Sequence, residues 1–178
     1  KRIPLGAPRG WATFLRHAAQ SKAGRSAFQA YQESRRIAHG TDQKMAALAQ
    51  LLVDEHGRRT IVFTHDNDTA YRISKRFLVP CISHQTDVKE RRTILDAFEA
   101  GTLPVIATSR VLNEGVDMPS AEVAIVLSGT GTVREHVQRL GRILRPQAGK
   151  QAVLYEVVAA DTAEINTSRR RRRHDAYR

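Results

Sequence analysis

The segment Thr60-Ile61-Val62-Phe63-Thr64 is the strongest local indication of the fold class. Three consecutive apolar residues between threonines are typical of a short strand that is buried on both of its faces. Strands of this kind belong to parallel sheets, because helices cover both faces of such sheets. The stretch therefore predicts an α/β protein if helices and further strands alternate with it along the chain.

Predicted helices and strands alternate along the chain on both sides of this strand. The spacing of Met45, Leu48 and Leu52 predicts a preceding helix that stops at Gly57. The series implies right-handed crossovers and a mostly parallel sheet with helices on both faces. The later elements are a helix near 68–77, a strand near 81–83, a helix near 87–100, strands at 105–108 and 123–127, a helix opened by Thr132 with Glu135 three residues on, and a closing strand within 151–158.

The segment before Gly40 differs in composition from the alternating region. It is rich in Ala, Gln, Arg and Ser, which favour helix over strand. We predict two helices that are broken near Gly24. The aromatic residues of this segment are Trp11, Phe14, Phe28 and Tyr31.

The chain is strongly basic. Its 178 residues carry a net charge of +11, and the six arginines and one aspartate of the last ten residues supply +5 of it. A field of that sign concentrates polyanions, so nucleic acid is the favoured partner and a membrane surface a weaker one. Two interpretations of the run Arg169–Arg173 stay open: a solvated helix face or tail, and a contact with nucleic acid or a partner.

Cysteine usage and hydropathy indicate a compartment. Cys81 is the only cysteine, which excludes an internal disulfide and predicts a reducing, intracellular setting. No apolar run approaches the roughly 18 residues that span a bilayer, so we predict no membrane-spanning segment, and the predicted partner is nucleic acid and not a membrane. The seven histidines show no spacing for a metal site. The missing initiator methionine suggests part of a longer protein, cytoplasmic if prokaryotic, which the short loops favour, or nuclear if eukaryotic.

The segment Gln138-Arg139-Leu140-Gly141-Arg142-Ile143-Leu144-Arg145 has an arrangement suited to a triphosphate. On a helix, Gln138, Arg142 and Arg145 fall within an arc of about 60°, and apolar residues occupy the opposite side. Arginine stays charged and donates paired hydrogen bonds to phosphate oxygens. Taken alone, the segment would favour the simpler interpretation of an amphipathic helix with a solvated basic face.

A second candidate lies after the strand at 105–108. Gly115 permits close backbone approach, Asp117 can accept from a ribose hydroxyl pair, and Thr108 can donate to a phosphate. The alternative is a turn ended by Pro119. No phosphate-binding loop of the form G-x-x-x-x-G-K-[ST] accompanies these residues in the chain.

Together these segments resemble the second motor domain of a superfamily 2 helicase. The residues at 61–64 resemble motif IV, those at 108–117 motif V, and those at 138–145 motif VI with its Q-x-x-G-R-x-x-R pattern. The likeness within the superfamily is to the XPB group, since Ser128-Gly129-Thr130-Gly131 and Asp161-Thr162-Ala163-Glu164 are also similar. It implies a RecA-like sheet over 41–165, a helical segment at 1–40 that resembles a thumb-like insert, and an arginine-rich tail at 166–178.

The resemblance also assigns roles at the nucleotide. It implies that Arg145 is the arginine finger on the γ-phosphate and that Arg142 is its companion. Gln138 would be a nearby polar contact, while Gly115 and Asp117 would meet the phosphates and ribose. The ligand would be ATP with Mg²⁺, and both would be held mainly by a first motor domain whose phosphate-binding lysine and acidic box this chain lacks.

The implied partner of the rest of the domain is DNA. The resemblance places Thr108, with Arg91 or Arg92, along the nucleic-acid backbone. It implies the C-terminal half of an ATP-dependent DNA helicase or translocase of 3'-5' polarity in repair or transcription, inactive as an isolated half. Further partners would be its own first motor domain and a nuclease or a repair or transcription factor. The alternative is a basic binding module that keeps the motor fold without catalysis.

Overall fold

The computed structural model describes residues 9–109, 118, 120–127 and 152–172. The chain divides into two compact units, residues 1–38 and residues 39–178. The first is helical and the second contains the sheet.

The first unit contains helix α1 (Gly10–Gln20) and nearly all of helix α2 (Lys22–His39), which confirms the two predicted helices. The break lies at Ser21, slightly before the predicted position. Gly24 instead lies in the first turn of α2, where an added Cβ would be 2.7 Å from the Cα of Ala18 in α1. Glycine therefore permits the close approach of the two helices.

The aromatic side chains of this unit form one cluster between α1 and α2. The ring centroid of Trp11 lies 5.4 Å from that of Phe14 and 5.2 Å from that of Tyr31. Phe28 completes the group at 6.4 Å from Trp11. These ring pairs provide apolar contact between α1 and α2.

The described strands of the second unit form a parallel sheet in the order β2-β3-β1-β4-β5. The strand predicted from the opening stretch is central, because Ile61 pairs with Ile106 on one side and Ala124 on the other. The fold class predicted from the sequence is confirmed. The strands are β1 (Thr60–Phe63), β2 (Cys81–Ile82), β3 (Val105–Thr108), β4 (Val123–Val126) and β5 (Val153–Glu156).

Four helices accompany these strands in the described part of the second unit. Each of the first three begins at a residue whose side chain accepts from a backbone N–H of the first turn: Thr41, Asp66 and Asp87. Gly57 and Gly101 follow α3 and α5 with φ of +86° and +80°, the left-handed region that glycine adopts freely. The helices are α3 (Asp42–Asp54), α4 (Asn67–Phe77), α5 (Val88–Glu99) and α6 (Ala163–Arg172).

Apolar side chains cover both faces of the sheet. Ile61 and Phe63 point to the face that α5 covers, where they pack with Ile94 and Phe98. Val62 points to the other face, which α3 and α4 cover. The core residues of that second face include Met45, Leu48, Ile73, Ile125 and Leu127. The burial of both faces of β1 explains why its sequence contains three consecutive apolar residues.

Some predicted elements lie outside the described residues, among them the helix opened by Thr132 and the loop at 129–131. The described part of the arginine run belongs to α6, and residue 166, the predicted start of the tail, lies in the same helix.

Candidate functional site

The carboxyl ends of the five strands meet at one edge of the sheet, where ligands of open α/β sheets gather. The polar residues there fall into two groups. One group follows β1, β2 and β3, and the other follows β4 and β5.

The turn after β2 forms the centre of the first group. The Ser83 hydroxyl is fully buried and lies 2.7 Å from the Tyr71 hydroxyl of α4. The Ser83 amide donates to Thr86 Oγ1 at 2.9 Å. The Arg91 guanidinium reaches back from α5 and donates to the Ser83 carbonyl at 3.4 Å. Arg91 therefore lies at the carboxyl edge, half-buried beside this turn.

Arg92 has a different setting from its neighbour. Its side chain is 85% exposed, and its Nε lies 3.8 Å from the Asp96 carboxylate one turn further along α5. The sequence offered both arginines for one role. The structure brings only Arg91 to the turn after β2.

Thr108 lies at the end of β3, beside the ends of β1 and β2. Its side chain is fully buried and its hydroxyl donates to the Ser109 carbonyl at 3.1 Å. The Ser109 amide donates to the Ile82 carbonyl at 3.2 Å, and the Thr64 amide donates to the Thr108 carbonyl at 2.9 Å. The end of β3 at Thr108 thus lies beside the end of β2, and Arg91 of α5 contacts the turn that follows β2.

The second group centres on a buried lysine in the first turn of α3. Lys44 is 2% exposed, and its Nζ donates to the Leu127 carbonyl at 2.8 Å. The same Nζ lies 2.5 Å from Glu164 Oε2 of α6. Burial lowers the pKa of the Lys44 ammonium, whereas the hydrogen bond and charge of Glu164 oppose that shift.

A second buried pair holds α6 at the end of β5. Arg171 is 4% exposed and its guanidinium donates to the Glu156 carboxylate, which is 11% exposed. The Ser168 hydroxyl donates to the other oxygen of Glu156 at 2.6 Å. Two ion pairs therefore fix α6 over the carboxyl ends of β4 and β5.

Glu55 and Cys81 also have shifted pKa values. Glu55 caps the far end of α3 and lies 2.5 Å from the Arg58 guanidinium, and the hydrogen bond from Tyr155 lowers its pKa. Burial raises the pKa of the Cys81 thiol to about 11, so the thiol is protonated at neutral pH. The described ranges contain no group of three His, Cys, Asp or Glu side chains that could hold a metal ion.

Comparison with known protein families shows to which family the chain belongs. The model of the ERCC3/RAD25/XPB C-terminal helicase matches residues 27–175. The chain belongs to this family. The sequence resemblance to the XPB group is confirmed.

Curated relatives that are named XPB support the same family membership. The chain is 46% identical over 155 residues to a protein named DNA 3'-5' translocase XPB2 from Sulfurisphaera tokodaii, covering 87% of the chain and 35% of the relative. It is 35% identical to the DNA 3'-5' helicase XPB of Mycobacterium tuberculosis, covering 80% of the chain and 26% of the relative. The general transcription and DNA repair factor IIH helicase/translocase subunit XPB of Drosophila melanogaster is 34% identical, with 67% of the chain and 16% of the relative covered. The chain thus spans about a third or less of these relatives.

Solved structures support the fold. The C-terminal domain of the DEAD-box protein Dbp5 superposes with a TM-score of 0.67 at 20% identity, covering 76% of this chain and 80% of that one. The Dbp5 of S. cerevisiae bound to RNA and ADP BeF3 gives a TM-score of 0.65 at 21% identity, covering 73% of this chain and 35% of that one. The XPB-family chain therefore has the RecA-like fold.

The nucleotide residues predicted from the XPB resemblance lie outside the described residues: Gln138, Arg142, Arg145, Gly115 and Asp117. Thr108, Arg91 and Arg92 have the positions given above. No helix in the described ranges is long and apolar enough to cross a bilayer.

Sequence analysis of this XPB-family chain missed four polar residues at the carboxyl edge. Tyr71 is 42% exposed and its hydroxyl donates to Gln85 Oε1 at 3.0 Å. The side chains of Asn67 and His84 lie within 2.9 Å of each other across the ends of β1 and β2. In sequence, Asn67 and Tyr71 look like polar positions on any helix surface, and His84 and Gln85 look like those of any polar turn, so no sequence signal set them apart.

Proposed function

We propose that the chain is the C-terminal motor domain of an ATP-dependent DNA helicase or translocase with 3'-5' polarity. The observation that carries the proposal is the family match over residues 27–175, together with relatives named as DNA 3'-5' helicases and translocases. The parallel sheet supports it, because its carboxyl edge supplies the surface that a nucleotide and a nucleic-acid backbone require.

ATP binds, in this proposal, between two motor domains of the full-length protein. Arg145 and Arg142 place positive charge where the transition state spreads negative charge over the γ-phosphoryl oxygens, and Gln138 adds a polar contact. Gly115 and Asp117 meet the phosphates and the ribose. The Mg²⁺ ion belongs to the first motor domain, which carries the phosphate-binding lysine and acidic box.

DNA lies across the turn after β2 and the end of β3. Arg91 supports the turn at Ser83, and the exposed part of its side chain can donate to a phosphate. Thr108 contributes through the shape of the turn, since its buried hydroxyl already donates to Ser109. Arg92 contributes from the solvent side of α5. When the cleft between the two motor domains closes and opens, the DNA-binding surfaces of the two domains shift along the DNA backbone. This shift gives directional movement.

The relatives also suggest the setting. A Drosophila relative is named as a subunit of a general transcription and DNA repair factor. We therefore place the protein on intracellular DNA, with a nuclease or a repair or transcription factor as its protein partner. The net charge of +11 favours binding to DNA, which is a polyanion.

Substitution of Arg91 tests the DNA track. In the full-length protein, Arg91→Ala is expected to weaken binding to duplex DNA about tenfold, because a charge-assisted hydrogen bond to phosphate is lost. The slope of log affinity against log salt concentration should fall by about 1, as for the loss of one phosphate contact. Fluorescence anisotropy of labelled DNA across a salt series measures both quantities.

Two arginine variants serve as controls for this measurement. Arg92→Ala removes a neighbouring charge that is 85% exposed and paired with Asp96, so we expect a smaller loss of affinity. Arg76→Ala removes a charge from the last turn of α4, at the opposite edge of the sheet, and should leave affinity nearly unchanged. Equal effects of Arg91→Ala and Arg76→Ala would place the DNA elsewhere.

A further inference from the structure

The turn after β2 carries two neighbouring exposed side chains, His84 and Gln85, whose contacts the proposed function does not use. Each has one acceptor atom and one donor atom when the imidazole is neutral. Each is also bound by a side chain of α4, His84 by Asn67 at 2.9 Å and Gln85 by Tyr71 at 3.0 Å. The atom that α4 occupies decides what each side chain can offer to a ligand.

The carboxamide of Gln85 is held by its oxygen. The Tyr71 hydroxyl has a single proton, which it donates to Gln85 Oε1 at 3.0 Å. The Ser83 hydroxyl therefore donates its own proton to the Tyr71 oxygen at 2.7 Å, and it accepts from the Gln85 amide at 3.1 Å. These three bonds close a ring and fix the direction of each proton. The Nε2–H₂ donors of Gln85 have no partner among the described residues.

The imidazole of His84 is held in the same sense. Asn67 approaches Nδ1 with its Nδ2 atom, which can only donate, so Nδ1 is the acceptor. A neutral imidazole that accepts at Nδ1 carries its proton on Nε2. In the part of the chain that the structure describes, nothing accepts from this Nε2–H. His84 and Gln85 therefore both have only donors left for a ligand.

Two free donors in one turn match a phosphate group, whose ionised oxygens accept hydrogen bonds. Positive charge is near, because the Arg91 guanidinium donates to the Ser83 carbonyl of the same turn at 3.4 Å. The neighbouring Asp87 carboxylate is engaged at the start of α5, where it accepts from the Lys89 amide at 2.8 Å. The edge of a base pair presents donors as well as acceptors, so a backbone phosphate is the better match.

We propose that His84 and Gln85 form a phosphate-binding subsite for the DNA backbone, with His84 Nε2–H and Gln85 Nε2–H₂ as neutral donors. The inference rests on the proposed function, which places DNA across this turn. Asn67 and Tyr71 are positioning residues, because each acts through the side chain that it holds. The subsite binds DNA without regard to base sequence.

Alanine variants of the full-length protein test the two donors. His84→Ala and Gln85→Ala are each expected to weaken binding to duplex DNA about fivefold, which is the effect of one neutral hydrogen bond. The slope of log affinity against log salt concentration should not change, because a neutral donor releases no counterion. Fluorescence anisotropy across a salt series at pH 8, where imidazole side chains are neutral, measures both quantities.

Two further variants are run beside them. Arg91→Ala should lower the salt slope by about 1, because it removes a charge. Gln50→Ala removes an exposed carboxamide from α3 whose Nε2 already donates to Asp54 at 2.8 Å, so DNA affinity should stay within about twofold.

Tyr71→Phe tests positioning. It keeps the ring but releases Gln85 Oε1, so we expect DNA affinity to fall about threefold. In the Gln85→Ala background the same substitution should leave DNA affinity unchanged, because the side chain that it positions is absent. Thermal stability should fall in both backgrounds, since the Ser83 hydroxyl loses its acceptor in each. A further loss of affinity in the Gln85→Ala background would show that Tyr71 does not act through Gln85.

Two results would overturn the subsite. One is unchanged DNA affinity in either alanine variant, and a raised KM for ATP in that variant would assign the donor to the nucleotide instead. The other is a salt slope that falls by about 1 in either variant, because the loss would then act through Arg91. A lack of DNA binding by the unmodified protein would overturn the proposed function together with the subsite.

Discussion

Arg145→Ala in the full-length protein is expected to lower DNA-stimulated ATP hydrolysis by about 10³-fold. The reason is electrostatic. A guanidinium on the γ-phosphoryl group stabilises charge that develops only in the transition state, so its loss falls on kcat more than on KM for ATP. Steady-state kinetics at saturating DNA measure the two constants separately.

The control for this variant is Arg76→Ala. It removes the same charged group from the last turn of α4, at the opposite edge of the sheet, and should leave kcat within about twofold of the unmodified value. Arg142→Ala should lower kcat as well, by less than Arg145→Ala. Unchanged turnover in Arg145→Ala would remove this residue from the nucleotide site.

Arg171→Met is expected to destabilise the sheet-containing unit by about 3 kcal/mol, or roughly a hundredfold in the folding equilibrium. The substitution removes the buried partner of the Glu156 carboxylate, which is 11% exposed, and leaves only the exposed Arg172 guanidinium at 3.9 Å as a positive charge beside it. We place the loss at the low end of the range for broken buried pairs because the Ser168 hydroxyl still donates to Glu156 at 2.6 Å. Urea unfolding followed by circular dichroism measures the free energy of unfolding.

Two further variants test the cause of that loss. Arg169→Met makes the same change at an exposed position of α6 and should cost less than about 0.5 kcal/mol. Arg171→Met combined with Glu156→Gln should regain most of the stability, because neither charge is then left alone in the interior. Equal stability of Arg171→Met and Arg169→Met would show that the buried pair contributes nothing.

Regular local patterns made much of the fold predictable. The apolar run Ile61-Val62-Phe63 predicted a strand covered on both faces, and both faces are buried. Asp87 and Gly101 marked the limits of α5 because a capping carboxylate and a left-handed glycine are signals that act within one turn. These features depend on neighbours in the sequence, so the sequence carries them directly.

Contacts across long separations were not predictable. Lys44 resembles a surface residue of an amphipathic helix, and only the fold brings it to Leu127 and Glu164. Arg171 stands in a run of identical residues whose composition favours solvent or nucleic acid, yet its side chain is buried against Glu156. The sequence did not distinguish Arg91 from Arg92. The orientation of α5 in the fold places only Arg91 beside Ser83.

The family resemblance supplied what neither pattern nor fold supplies. The roles proposed for Arg145, Arg142, Gln138, Gly115 and Asp117 come from motif positions and stay predictions. Thr108 and Arg91 were already sequence candidates at this edge, and the structure added its contacts, such as that between the Arg91 guanidinium and the Ser83 carbonyl.

The central claim is that this domain provides half of a nucleotide site and that the first motor domain provides the other half. The direct test is the rate of ATP hydrolysis by residues 1–178 alone and by the full-length protein, each with and without duplex DNA. We predict hydrolysis only by the full-length protein, at a rate that DNA increases. Comparable hydrolysis by residues 1–178 alone, or a full-length rate that DNA does not change, would contradict the account.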